Sequence, residues 1–283
     1  MGTLIKSAPF GKTKDGKDVT IYRIGNSKGS YVDVLDYGVT IVGFNTRTRE
    51  GDLVDIVSSY NEFSKYEVSS LGKIVVEGDI KQDFQKEVWD VAEIGDNYIS
   101  FFIHSDDRNL NIACKVRFME FDRLVFDYSS SISDNEKINV SHNLTFHLGS
   151  DDTDKLKIRA FTPKCIVDGN LLETEKSGFD GKNYNALNDE QELVLFDDKS
   201  IIHPFAEILF EGNELTLSTY STMDVNKLKC TNRGICSTMS FKDIPLREKD
   251  EPFTYRTVYG VDLKFREGQA VLNPMMFFNG NNK

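Results

Sequence analysis

The sequence predicts an all-β fold, a large antiparallel sandwich or barrel. Runs rich in β-branched and aromatic residues recur at spacings of about ten residues. Clusters of Gly, Asn and Asp, the residues that favour turns, divide these runs. No stretch shows the sustained apolar period of a long amphipathic helix, and 283 residues are enough to bury a substantial core.

Residues 9–25 read as a hairpin. Asp15-Gly16 is a tight-turn signal, followed by the β-branched and aromatic run Val19-Thr20-Ile21-Tyr22-Arg23-Ile24. Tyr31-Val32-Asp33-Val34-Leu35 alternates as a half-buried strand does. Residues 37–44 carry Gly38 and Gly43, where backbone bends or another chain segment comes close. The Arg49-Glu50-Gly51-Asp52 turn leads into a run over 53–57. Further strands are expected over 87–91, 98–103, 111–118, 124–132, 155–158, 193–195, 214–218 and 256–265. Residues 61–68 suit one short helical turn. The stretch 174–189, rich in Gly, Asn, Asp and Lys, reads as a long loop.

Composition narrows the function classes. The formal net charge is −11 with no basic stripe, so neither nucleic acid nor an anionic membrane surface is an expected partner. No apolar run reaches the roughly 18 residues of a membrane-spanning helix, and the first ten residues lack the apolar core of a signal peptide. Cys230 and Cys236 are too far apart for a Cys-x-x-Cys motif, and Cys114 sits in a strand-like run as a buried thiol. These features suit reduced thiols and a cytoplasmic location. No metal site is expected. The acidic run Asp151-Asp152-Thr153-Asp154 lacks a full calcium-loop pattern, and no Gly-x-Ser-x-Gly marks a nucleophile.

Chemistry concentrates at residues 139–150, Asn-Val-Ser-His-Asn-Leu-Thr-Phe-His-Leu-Gly-Ser, which hold two of the four histidines. His142 and His147 are separated by an odd number of residues, so an extended strand places them on opposite faces. At most one of them can face a given site. A hydrogen-bonded structural role is the simpler reading of both.

Several segments resemble the aldose 1-epimerases, the galactose mutarotases. Phe10-Gly11-Lys12-Thr13-Lys14-Asp15-Gly16-Lys17 resembles their opening, and Leu35-Asp36-Tyr37-Gly38-Val39-Thr40-Ile41 resembles their N-Y-G-A-T-I stretch. Gly51-Asp52-Leu53-Val54-Asp55-Ile56-Val57, Val88-Trp89-Asp90-Val91, residues 139–149 and residues 252–259 follow in the family's order. The resemblance implies one domain over residues 1–283, a large twisted antiparallel β-sandwich of the galactose mutarotase-like, or supersandwich, type. It also implies a sugar cleft across one sheet and interconversion of hexose anomers without a cofactor. That chemistry needs a base for the anomeric hydroxyl and an acid for the ring oxygen, which the family supplies as a Glu and a His.

Residue by residue, the family's site is altered. The acid His of N-L-T-N-H-S-Y-F-N-L falls on Asn143, with His142 one place early and His147 four places late. A one-residue shift reverses the face, so His142 replaces the acid only if a bulge re-aims it. Glu77 stands where the family has its second His, and Asp79 follows in the same Gly-containing loop. The sugar-binding Arg segment is missing, leaving Lys73 as a cation without a planar fork. His203 keeps its place in Ser200-Ile201-Ile202-His203-Pro204-Phe205, but Ile202 replaces the sugar-binding Asp. The stretch matching the catalytic Glu, residues 235–240, has no acid; Asp243, Glu248 and Glu251 lie beyond it. Loss of an acid or base costs roughly 100- to 10,000-fold in rate.

Three functions stay open. One is a carbohydrate-binding or interaction protein without mutarotase chemistry, with Asn143, Lys73, Asp79 and His203 as binding residues. A second is an epimerase with relocated groups, His142 or His147 as acid and Glu77 or Asp79 as base. The third is another small-molecule isomerase on the same scaffold. The expected partner is a small molecule, a sugar by the resemblance, or another protein if the chain is an interaction protein, and no cofactor is expected.

Overall fold

A computed structural model describes residues 5–80, 82–105, 110–131, 135–150, 152–188, 191–199, 201–247 and 253–264. Its strands form three antiparallel sheets. Ile5–Lys12, Asp18–Gly25, Tyr31–Leu35, Thr40–Arg47 and Leu53–Asp55 build a five-stranded meander in sequence order. The predicted first hairpin is there, with Gly16 at φ +87 in its turn. Only the left-handed region, which glycine enters without penalty, closes so tight a turn.

The two larger sheets form the sandwich. The nine-stranded sheet has Leu110–Met119, Arg123–Ser131 and Phe253–Leu263 near its middle. The eight-stranded sheet contains Glu136–Phe146, the strand that carries most of the 139–150 sequence, one place in from the edge formed by Ile74–Gly78. Leu110–Met119 alternates buried and half-buried along its whole length, which is the period-two pattern of a sheet with one face in a core. Phe146 of the central strand meets Tyr259 of the facing sheet, with ring centroids 5.1 Å apart. The five-stranded sheet closes onto the same core through Phe44, whose ring stands edge-on to Phe118 at 5.5 Å. A smaller cluster of Val19, Leu35, Tyr37, Phe63 and Tyr66 seals the opposite side of that sheet.

The helical turn expected in 61–68 is Phe63–Tyr66. The strand expected over 87–91 begins later, at Asp90–Ile94, because Val88 bridges to Tyr37 and Trp89 N–H donates to the Asp36 carbonyl. The stretch 174–189 is not structureless: Thr174–Lys176 is a 3-10 turn and Asn185–Ala186 pairs with Leu156–Ala160. Residues 132, 151, 189, 248, 251, 252 and 265 of the expected segments lie outside the described residues. Strands Ile74–Gly78, Lys164–Val167, Asn170–Glu173, His203–Phe210, Val225–Thr231, Gly234–Ser240 and Leu246–Arg247 are not among the expected ones. Among the described residues, no helix is long and apolar enough to cross a membrane.

Gly78 ends the strand that flanks Glu136–Phe146, at φ +120, and a Cβ there would lie 2.0 Å from the Lys137 carbonyl oxygen. Backbone cannot yield as a side-chain tip can. Gly78→Ala is therefore expected to destabilise the protein by about 2 kcal/mol or more, read as a lower urea midpoint at unchanged slope.

Candidate functional site

The central strand Glu136–Phe146 distributes its side chains by parity. Ile138, Val140, His142, Leu144 and Phe146 point into the core, and Asn139, Ser141, Asn143 and Thr145 take the outward face. One edge pairs with Ile74–Gly78, from Ile138↔Gly78 to His142↔Ile74. The other pairs with Gly234–Ser240, from Phe146↔Ile235 to Asn143↔Thr238. Beyond Thr238 the two strands part. The Val140 N–H, on the edge where that strand would continue, donates to the Tyr255 hydroxyl instead.

Polar side chains gather at this fork. Glu77 faces Asn139 across the strand pair, and its Oε2 accepts from Asn139 Nδ2 at 2.9 Å and from Ser240 Oγ at 3.1 Å. Asn139 Oδ1 and Ser141 Oγ are buried and have no hydrogen-bond partner among the described residues. A buried polar atom without a partner costs about 1–3 kcal/mol, so such atoms mark places for a water or a ligand donor. Two residues along, Cys236 Sγ donates to Asn143 Oδ1 at 2.6 Å. Burial pushes the Cys236 thiol up, which keeps its proton in place at neutral pH.

His142 does not reach this face. The register against Ile74–Gly78 runs from Ile138 to His142 without a bulge, so the ring stays in the core, stacked on Phe126 at 4.1 Å. Its Nε2–H donates to the Val39 carbonyl at 2.9 Å and its Nδ1 accepts from the Tyr128 hydroxyl at 2.8 Å. Burial lowers its pKa to about 3, so the ring is neutral with both nitrogens engaged. It cannot serve as the acid of an outward site.

His147 lies past the strand's end, with Nε2–H donating to the Val57 carbonyl at 3.2 Å and Nδ1 accepting from Gly149 N–H at 3.0 Å. It stands eight residues beyond Asn139, roughly 26 Å along an extended chain. Glu77, beside Asn139, and His147 therefore do not form an acid–base pair.

Two more expected site residues are turned away. The Lys73 backbone carbonyl accepts from Asn143 N–H at 3.0 Å, but its side chain runs into the smaller core. There Nζ donates to the Tyr66 carbonyl and lies 4.5 Å from the Tyr37 ring centroid. Burial brings its pKa down to about 8. His203 belongs to the nine-stranded sheet, is buried, and donates from Nδ1 to the Ile201 carbonyl at 2.7 Å. Asp79 sits at the rim, where its Oδ2 accepts from Lys137 N–H at 2.9 Å and its own N–H donates to the Lys137 carbonyl at 2.9 Å. It caps the end of the strand pair.

The structure thus brings together Glu77, Asn139, Ser141 and Ser240, with Asn143 and Cys236 further along the strand. Sequence reading missed Asn139, Ser141, Ser240 and Cys236 as site residues. Asn139 and Ser141 follow from strand parity once Asn143 is taken as outward. Ser240 and Cys236 carry no comparable signal, because only the pairing of 234–240 against the central strand delivers them.

No protein-family profile matches the chain, and no curated protein does. Solved structures do match. An aldose epimerase homologue from C. elegans superimposes with a TM-score of 0.73 at 14% identity, over 87% of this chain and 99% of that one. Galactose 1-epimerase from Lactobacillus acidophilus gives 0.72 at 13% identity, over 93% and 100%. This chain has the galactose mutarotase-like fold. A galactose mutarotase related enzyme from Lactobacillus acidophilus shares the fold at a TM-score of 0.64 and 12% identity, over 88% and 100%. At these identities the likeness extends to the fold, and the side chains of the site have to be judged on their own geometry.

The buried imidazole makes stability pH-dependent. Its folded pKa lies below the unfolded value of about 6.5, so the unfolded state binds the extra proton and stability falls as pH drops below that value. Between pH 7.5 and pH 5 the wild type is expected to lose about 2 kcal/mol more than His142→Phe. Urea denaturation at the two pH values checks this.

Proposed function

We propose that the outward face at the fork binds a carbohydrate without interconverting its anomers. The observation that carries this reading is the pairing of Asn143 with the Cys236 thiol, at the place the resemblance assigns to the family's acid. Neither group releases or takes a proton readily at neutral pH, and the nearest imidazole, His142, is sealed on the other side of the strand. General acid catalysis of ring opening has no donor there.

Binding is supported by the fork. Glu77 offers a carboxylate already oriented by Asn139 and Ser240, and the unpartnered Asn139 Oδ1 and Ser141 Oγ suit donation from hydroxyl groups. The names of the matching structures, an aldose epimerase homologue and a galactose 1-epimerase, point to sugars as the ligand class.

Polarimetry on fresh α-D-glucose and α-D-galactose is expected to show equilibration at the buffer rate. Calorimetry with the same sugars is expected to show binding, weakened about tenfold in Glu77→Gln as charge-assisted hydrogen bonds become neutral ones. A mutarotation rate above buffer that falls in Glu77→Gln would replace the binder with an epimerase working from Glu77. An absence of heat with either sugar would remove the carbohydrate reading.

A further inference from the structure

The outward face of the eight-stranded sheet is indented at its far edge. A groove of about 380 Å3 lies over strands Lys164–Val167, Asn170–Glu173 and Glu192–Phe196. Its floor is apolar, made by Pro163, Ile166, Leu171 and Phe196. Leu171 is 64% exposed, an unusual position for a large apolar side chain on a sheet face. The rim is polar and of both signs, with Lys164, Lys242 and Asp198. Asp197 and Asp224, also at the rim, are already engaged. Asp197 pairs with Lys199 at 2.7 Å, and Asp224 Oδ1 accepts from Lys242 N–H at 2.8 Å. Asp198 has no hydrogen bond or ion pair among the described residues, and its carboxylate faces outward.

The groove and the fork share one cross-strand row. Lys164 pairs with Phe196, Phe196 with Val225, and Val225 with Ser240, whose hydroxyl donates to Glu77. Directly paired residues project to the same side of a sheet. Phe196 is therefore two strands from Ser240, roughly 10 Å. A single hexose ring is too short for that span, whereas a chain of linked sugar units is long enough to pass over Val225, which is buried between the two.

We propose that the groove is a second saccharide subsite, so that the ligand of this face is an oligosaccharide; this rests on the carbohydrate reading of the fork. A pyranose ring presents a flat face of C–H groups and an edge of hydroxyls. The C–H face covers Phe196, Leu171 and Ile166, and removes from water the apolar surface they now expose. The edge hydroxyls donate to Asp198 and accept from Lys164 and Lys242. A rim with both signs suits a neutral polyhydroxyl ligand better than a strongly charged one, which one half of the rim would repel. The groove volume lies within the ordinary range of small-ligand sites.

Calorimetry on the full chain would compare D-glucose with maltotetraose and cellotetraose, and D-galactose with β-1,4-galactotetraose. The proposal expects one tetrasaccharide to bind at least about tenfold tighter than its monosaccharide. In Phe196→Ala the ratio of the two affinities should fall towards one. Asp198→Ala, an exposed position that folding tolerates, should reduce the ratio as well and serves if Phe196→Ala does not fold. Equal affinity for mono- and tetrasaccharides in the wild type overturns the second subsite and leaves the fork as a monosaccharide site. A ratio unchanged in both variants places the extra contacts elsewhere and also overturns it. No heat with any of these sugars overturns the second subsite together with the carbohydrate reading.

Discussion

The side-chain alternation of the strand Glu136–Phe146 is the constraint on which the core and the site both depend. Its inward residues, from Ile138 to Phe146, fill the space between the large sheets, and its outward residues line the fork. Because the period is two, the same register that buries Phe146 against Tyr259 also buries His142 and turns Asn139, Ser141 and Asn143 to the opposite face of the sheet. A single-residue slip would put Asn139, Ser141 and Asn143 into the apolar interior. Burial of the strand's apolar half thus holds the polar half in place.

The flanking strands turn that polar face into a site. Ile74–Gly78 lies along the whole first half of the central strand and sets Glu77 opposite Asn139. Gly234–Ser240 follows only the second half and then departs, with Ser240 at the point of separation. A continuous sheet would leave a flat surface there. The separation leaves room for several polar groups around one carboxylate, and it leaves Asn139 and Ser141 with atoms that have no partner in the protein. The Tyr255 hydroxyl, from the facing sheet, satisfies the backbone N–H that the departing strand leaves open.

The charged and titratable groups show how burial overrides residue type. Lys73 follows the expected segment and its backbone touches Asn143, yet its ammonium lies over Tyr37 in the smaller core. Gly72, at φ +74, lets the chain pass within contact of the Ile41 carbonyl, where a Cβ would lie at 2.3 Å. His142 is likewise kept neutral by its surroundings, with Tyr128 and Val39 using both ring nitrogens. Neither residue meets a ligand from these positions, although both were reasonable candidates by sequence.

The all-β class, the first hairpin, the short helix near residue 63 and the place of the central strand were legible in the sequence, because alternation and turn chemistry are local. The opposite facing of His142 and of Asn143 was legible for the same reason. The assembly of Glu77, Asn139, Ser141 and Ser240 was not, since residues 77 and 240 are far apart in the chain and meet only through pairing with a third strand. The wide separation of Glu77 from His147 was likewise decided by strand pairing, and the removal of Lys73 and His203 from the fork by where their side chains and strands pack. Local sequence determines which face of a strand a side chain takes; the tertiary structure decides which other strands share that face, because long-range pairing has no short-range signal.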